Sequence, residues 1–353
     1  MDLIDQVFDQ VGYIINQYVP ELYQYPVFRI NQVLSIQNLN VCYFTAEFDK
    51  FKNLNSIHLE ERYLAYDPDP ELKKNTDEDT INHCISSLSH IQSLRIVHMD
   101  NFNGSLRPLV SLRLEKIYMD QFDGDIGPLE SMQSLRVIFM NKFNGDIGPL
   151  GSMQSLRAIF MNKFNRDTSA LRNMSVQTIS MLSYTGDLEF LRGAPLRAIY
   201  MSRFNGSTEP LKGIGLQLVS MNSYTGDLEF LKGAALRSII MNSFNGSTEP
   251  LEGMKLQLIS MDSFTGNLNF LRGALLSLRT IIMNSFNGSI EPLKGMHLEK
   301  LSMRSFSGRF NPLRGMVSLC KVTLPCFSGN EWPLDKKQLQ KLIKKRRPFK
   351  KIE

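Results

Sequence analysis

Through most of its length the chain returns to one pattern of apolar and polar positions every 20 to 22 residues. Methionine marks it at Met99, Met119, Met140, Met161, Met181, Met201, Met221, Met241, Met261, Met283 and Met303, and Leu324 takes the next place. Five and two residues before each anchor stand apolar residues, such as Leu135 and Ile138 or Leu256 and Ile259. Three residues after it comes an aromatic ring, from Phe102 to Phe327, and ten after it a leucine, from Leu109 to Leu334. Glycine follows the ring by two places in every repeat except the fourth, where Arg166 stands. A period of this length with so constant an apolar content predicts a solenoid of about twelve repeats.

The I-x-M stretch alternates, which puts its two apolar side chains on one face of a short strand and their neighbours on the other. The F-N-G and P-L-x-G stretches turn the chain. Twenty residues leave no room for a strand and a full helix, so the outer side is expected to be extended or a short 3-10 turn. Such a repeat buries about six large side chains at about 1.5–3 kcal/mol each. Ordering its backbone costs about 1–2 kcal/mol per residue, so no repeat folds alone. Neighbours must stack, with strands about 4.8 Å apart in a parallel sheet. If the glycine after the ring sits at positive φ, Arg166 costs about 1 kcal/mol or more.

The L-x-x-I-x-M strand followed by F-x-G-x-I-x-P-L, over roughly residues 90 to 334, resembles a leucine-rich repeat, and the recurrent Phe-Asn after the strand resembles the FNIP variety. Leucine-rich repeats place asparagine three residues after the last strand leucine, where this chain has Phe or Tyr. The small polar column one place later (Asn103, Asn144, Thr185, Asn205, Thr225, Asn245, Thr265, Asn287) is the candidate for the missing hydrogen-bond ladder. The resemblance implies an interaction or scaffold module that binds a protein partner on its concave strand face. It also implies two alternatives. One is the substrate receptor of a ubiquitin ligase, which needs an F-box-like N-terminus; the Leu-Pro opening and later Trp of an F-box are missing here. The other is a structural component of a large, possibly viral, assembly.

Duplication shows inside the array. Residues 181–220 and 221–260 match at 29 of 40 positions, each pairing a Y-T-G-D-L-E-F-L repeat with an F-N-G-S-T-E-P-L repeat. Residues 119–139 and 140–160 form a pair of another style. A seam lies between them at 161–181, where Arg166 replaces Gly and Ala170 replaces Pro.

The ends depart from the period. Leu3, Ile4, Val7, Phe8, Val11, Ile14 and Ile15 have helical spacing up to Pro20, which predicts a helical N-terminal cap over 1–50. A degenerate first repeat opens at Leu54-x-x-Ile57-x-Leu59 within 51–94 and contains an acidic loop over 67–79. Regular repeats fill 95–334, and 335–353 form a basic C-terminal helix and tail. That tail alters the charge picture. The net charge is +5, yet residues 335–353 hold nine Lys/Arg and two acids, leaving 31 basic and 33 acidic side chains before them. Lys344, Lys345, Arg346, Arg347, Lys350 and Lys351 either bind polyanions or an import factor, or serve only to solubilise the end of the array.

With 42% apolar residues the composition is globular. No run of eighteen apolar residues exists, so no membrane span is expected. The opening Met1-Asp2-Leu3-Ile4-Asp5 lacks a basic n-region, and four cysteines have no framework spacing. The expected location is intracellular, cytoplasmic or nuclear, and not secreted.

Catalytic chemistry is not indicated. His58, His83, His90, His98 and His297 form no metal motif, phosphate-binding glycine motifs are missing, and Ser and Cys lack a positioned base. No enzyme activity, metal or cofactor is expected. Asn-Gly-Ser at Asn103, Asn205, Asn245 and Asn287 matches a glycosylation sequon, but Asn-Gly is also what a tight turn uses. A partner surface is the better candidate. One place before the anchors stand His98, Tyr118, Phe139, Phe160 and Tyr200, and one place after them Asp120, Asn141 and Asn162. Tyr118, Phe139, Phe160 and Tyr200 are candidate anchors with Asp120, Asn141 and Asn162 as their polar flank. The alternative is that these rings stack on one another and carry no partner. An arginine column (Arg95, Arg136, Arg157, Arg197, Arg237, Arg279) against a glutamate column (Glu189, Glu209, Glu229, Glu249, Glu291) predicts a solvated ion-pair surface rather than a nucleic-acid groove.

Overall fold

The computed structural model describes residues 35–40, 54–60, 86, 88–100, 102–308, 311–313, 316 and 318–324, with backbone only at 35–40, 58–60 and 311. The helical run 3–15, the acidic loop 67–79 and the basic residues from Lys344 to Lys351 lie outside these. So does any F-box-like feature of the N-terminus.

The chain divides into two compact units, Met1–Val176 and Gln177–Glu353. In the first unit lie β1 (Ser35–Asn40), β2 (Ser56–Glu60), β3 (Ile96–His98), β4 (Lys116–Tyr118), β5 (Val137–Phe139) and β6 (Ala158–Phe160). The second contains β7 (Thr178–Ser180), β8 (Ala198–Tyr200), β9 (Leu218–Ser220), β10 (Ser238–Ile240), β11 (Leu258–Ser260), β12 (Thr280–Ile282), β13 (Lys300–Ser302) and β14 (Lys321–Thr323). Within each unit the strands pair in chain order, all parallel. β1 lies inside the stretch for which the sequence predicts a cap. Its pairing with β2 slips between Ile36 and Leu39, and this irregularity breaks the alternation by which the later strands are recognised.

The predicted core is the observed one. The middle strand residue, the methionine anchor and the ring after it are buried in repeat after repeat, as at Ile138, Met140 and Phe143 or Ile239, Met241 and Phe244. Register is what makes them stack: Ile117 lies opposite Ile138, and Ile138 opposite Ile159. The ladder runs one residue past each strand, where the Met119 N–H donates to the Phe139 carbonyl at 2.7 Å and the Met140 N–H to the Phe160 carbonyl at 2.8 Å.

Opposite the strands runs a short 3-10 turn, such as Gly127–Ser131 or Glu229–Leu231. Its start is held by a small polar side chain two residues upstream of a backbone donor. Asp125 Oδ1 accepts from the Gly127 N–H at 2.8 Å and Asp227 Oδ1 from the Glu229 N–H at 2.9 Å. These side-chain turns fix where the outer turn starts, and Pro at its first or second position in many repeats favours the same start.

The glycine after the ring is not at positive φ, and neither is Arg166. A Cβ at Gly145 would stand 2.9 Å from the Phe143 ring, and one at Gly226 would stand 2.6 Å from the Tyr224 hydroxyl. Where the column is glycine the ring folds back over it; at Arg166 the Phe164 ring is buried all the same, and no backbone strain attaches to Arg166. Positive φ occurs instead twelve residues after the anchor, at Gly193, Gly213, Gly233, Gly253 and Gly295, with φ between 72° and 80°. In the seam repeat that place is held by Asn173 at φ 63°, asparagine being the side chain that best tolerates the left-handed region.

The small polar column forms a ladder. Asn103 Oδ1 accepts from the Asp123 N–H at 2.8 Å, Asn205 Oδ1 from the Thr225 N–H at 2.9 Å, and Asn287 Oδ1 from the Ser307 N–H at 2.7 Å. The forty-residue duplication also has a physical basis. In Y-T-G-D-L-E-F-L repeats Phe230 meets Tyr224 edge-on at 5.9 Å, and the Tyr224 hydroxyl donates to the Asp227 carbonyl at 2.7 Å. The same hydroxyl hydrogen-bonds Thr208 Oγ1 of the preceding F-N-G-S-T-E-P-L repeat at 3.0 Å, so the two styles fit best when they alternate.

Phe244→Ala is expected to destabilise the protein by about 3–5 kcal/mol in chemical denaturation, as for any fully buried ring; a loss under about 1 kcal/mol would show that the ring column is not core. Gly213→Ala should cost about 1–2 kcal/mol. Gly213→Asn should cost less, because nothing lies within 4 Å of a Cβ there and only the φ of 77° is at issue.

Candidate functional site

Strand alternation leaves the first and third strand residues on the face of the sheet away from the core. In the first unit the third position carries His98, Tyr118, Phe139 and Phe160, all half-buried. They stack in sequence: His98 on Tyr118 at 4.0 Å between ring centres with planes 7° apart, Tyr118 on Phe139 at 4.4 Å and 12°, Phe139 on Phe160 at 4.0 Å and 5°. The strand spacing of about 4.8 Å imposes this arrangement, since a ring repeated in register has no room for a partner between copies. Stacking thus accounts for the ring faces, while the ring edges remain toward solvent. Ile96, Lys116, Val137 and Ala158 flank the stack on one side.

On the other side runs the column after the anchors. Asn141 Nδ2 donates to Asp120 Oδ1 at 2.7 Å, which fixes the amide orientation because the carboxylate can only accept. Asn141 Oδ1 is left buried with no hydrogen-bond partner. Burial, and secondarily the carboxylate of Asp100, push the Asp120 carboxyl above the usual carboxylate range, against the lowering pull of the Asn141 bond. Asn162 continues the same column. The structure therefore brings together Tyr118, Phe139 and Phe160 with Asp120 and Asn141. It adds His98 and Asp100, whose place in the same columns was the signal that could have included them.

Tyr200 is in the second unit. Its register neighbours are Ser180 and Ser220, both buried, so it stacks on no ring. The second unit instead alternates large and small: Tyr200, Ile240 and Ile282 at the third strand position stand beside Ser220 and Ser260, while Leu218 and Leu258 fill the first position next to those serines. The predicted ion pairs also take another form. Glu189 pairs with Arg192 at 2.8 Å and Glu209 with Lys212, both three residues apart in the outer turn, whereas Arg279 of the arginine column pairs laterally with Glu299 at 3.5 Å. The 3-10 turn brings i and i+3 onto one side. These pairs are more than a third exposed and contribute little to stability.

Solved structures share this architecture. An internalin of Listeria monocytogenes matches 90% of this chain and 87% of its own with a TM-score of 0.55 and 14% identity. The fold is a leucine-rich-repeat solenoid. A leucine-rich-repeat protein of Leptospira interrogans is similar over 89% of this chain and 88% of its own, with a TM-score of 0.54 and 13% identity. The leucine-rich-repeat ectodomain of a plant membrane receptor kinase from Arabidopsis thaliana, solved in complex with Casparian strip integrity factor 2, matches 85% of this chain and 42% of its own at a TM-score of 0.52 and 13% identity. No family model matches the sequence, and no curated protein matches it. Among the described residues no helix is long and apolar enough to cross a membrane.

A carboxyl whose pKa is raised in the folded state favours folding when protonated, and that contribution is lost as pH rises through the folded pKa. Asp120→Asn keeps the acceptor for Asn141 and removes the charge. It should be at least as stable as the parent at neutral pH, with the difference closing as pH falls below the ordinary aspartate value of about 4; urea melts across that range measure it.

Proposed function

We propose that the solenoid is a non-catalytic recognition or scaffold module that binds a protein partner on the open strand face of its first unit. The observation that carries this reading is the row of four stacked, half-exposed rings bordered by a polar column. Tyr118, Phe139 and Phe160 form the apolar centre, and Asp120, Asn141 and Asn162 form the rim. An aromatic centre enclosed by hydrogen-bonding groups is the composition that concentrates binding energy at protein interfaces. The rings are already ordered by stacking, so a partner loses less side-chain entropy on docking than it would against free aromatics. Tyr200 belongs with Leu218, Ile240, Leu258 and Ile282 to a separate apolar strip in the second unit.

The fold alone does not dictate this function. The receptor ectodomain with which it shares that fold was solved in complex with a partner factor, which is in keeping with a recognition role. The Phe-Asn-Gly turns keep FNIP-type repeats as the proposed subfamily, and an intracellular setting belongs to the same proposal.

Phe139→Ala should leave the protein folded, because the ring is only half-buried, and should weaken capture of its principal partner from native extract by about tenfold or more, the loss typical of a central interface residue. Tyr200→Ala should have a smaller effect on the same partner. Capture unchanged by Phe139→Ala at equal thermal stability would remove the first unit's face from the function.

A further inference from the structure

Stacked rings cover one another's faces, so the first unit offers its partner a row of ring rims, not a π-surface. The rim is the electropositive part of an aromatic ring. A cation is therefore not drawn onto the stack itself, and aliphatic groups pack there better. Negative charge lies one column away. Asp100 and Asp120 stand on neighbouring repeats, close enough for Asp100 to oppose ionisation of Asp120. Among the described residues neither has an ion-pair partner, and the neighbouring Lys116 belongs to the column on the far side of the rings. Asn141 offers Asp120 a single N–H. The face thus combines an apolar ridge with a parallel row of acceptors short of donors.

We propose, building on the reading of this face as a protein-recognition surface, that its partner is a peptide segment that lays an arginine across it, the stem on the Tyr118 and Phe139 rims and the guanidinium on the carboxylates of Asp100 and Asp120. Arginine fits both halves of the surface. Its methylene stem covers apolar area while its head stays polar, and its planar fork of donors matches carboxylates and is more weakly hydrated than an ammonium. A metal ion is the poorer occupant, because two carboxylates fall well short of the oxygen shell that calcium or magnesium requires. Ile96, Val137 and Ala158 extend the apolar area beyond the rings and select apolar residues beside the arginine.

The test is selection of a displayed library of random short peptides on the full-length chain, followed by affinity measurements on the recovered peptides. Arginine flanked by apolar residues should be enriched. Asp100→Asn combined with Asp120→Asn should weaken those peptides by about tenfold or more, as should citrulline in place of arginine. Phe139→Leu keeps an apolar ridge and removes the ring, so it should change affinity by less than about threefold if the cation is held by carboxylates and not by a π-face. Recovered peptides that lack basic residues yet lose binding on Phe139→Ala would overturn the arginine assignment and leave the recognition face standing. Peptides bound equally by the parent, the double Asp variant and Phe139→Ala would overturn both, and a selection that recovers nothing above background would overturn the assignment as well.

Discussion

The residue-for-residue register of parallel strands is the constraint on which the rest of this structure depends. Because each repeat can bury its core only against the next, a column in the sequence becomes a column in space, and every residue is judged by how well it packs on a copy of itself. Methionine is deformable and packs on methionine. Phenylalanine stacks on phenylalanine, and an asparagine carbonyl receives the next repeat's backbone N–H. Charge is the one property that cannot be repeated this way without cost. That is visible where Asp100 and Asp120 meet, and where other repeats put Asn or Ser in the same column instead, as in the Asn284 to Asp262 bond at 2.9 Å.

Two glycine columns share this frame for opposite reasons. The one after the ring is a matter of volume, since a methyl group would press on the aromatic side chain folded over it, which must then give. The one that ends the outer turn is a matter of conformation, with open space around it and a left-handed backbone. Asn173 shows the second requirement within the protein itself, because asparagine takes the left-handed backbone there at φ 63°, while Arg166 in the same repeat shows that the first can be met by a shift of the ring.

Much of this was legible in the sequence. The period, the methionine anchors, the buried rings, the polar ladder and the short outer turn all follow from side chains that return at one spacing, and the structure has each of them. What was not legible has physical causes. A glycine placed by volume and one placed by φ look alike as letters, so the spacing leaves open which column takes positive φ. β1 escaped notice because its pairing slips between Ile36 and Leu39. For the candidate site, column membership indicated Tyr118, Phe139, Phe160 and Tyr200 together. Whether a ring stacks depends on its lateral neighbours, and only the first three have rings beside them.

Alternation in the second unit limits how the array can change in length. Tyr200, Ile240 and Ile282 each lie between buried serines, and Tyr224 needs the threonine of the repeat before it. Loss of the single repeat carrying Ser220 would set Tyr200 directly beside Ile240 and leave two small residues, Ala198 and Ser238, adjacent in the other column. Loss of two consecutive repeats would restore every neighbour to its own kind. Deletions and insertions that preserve packing here come in steps of two, so unequal recombination among these near-identical stretches can lengthen or shorten the molecule only by even counts without leaving a packing fault.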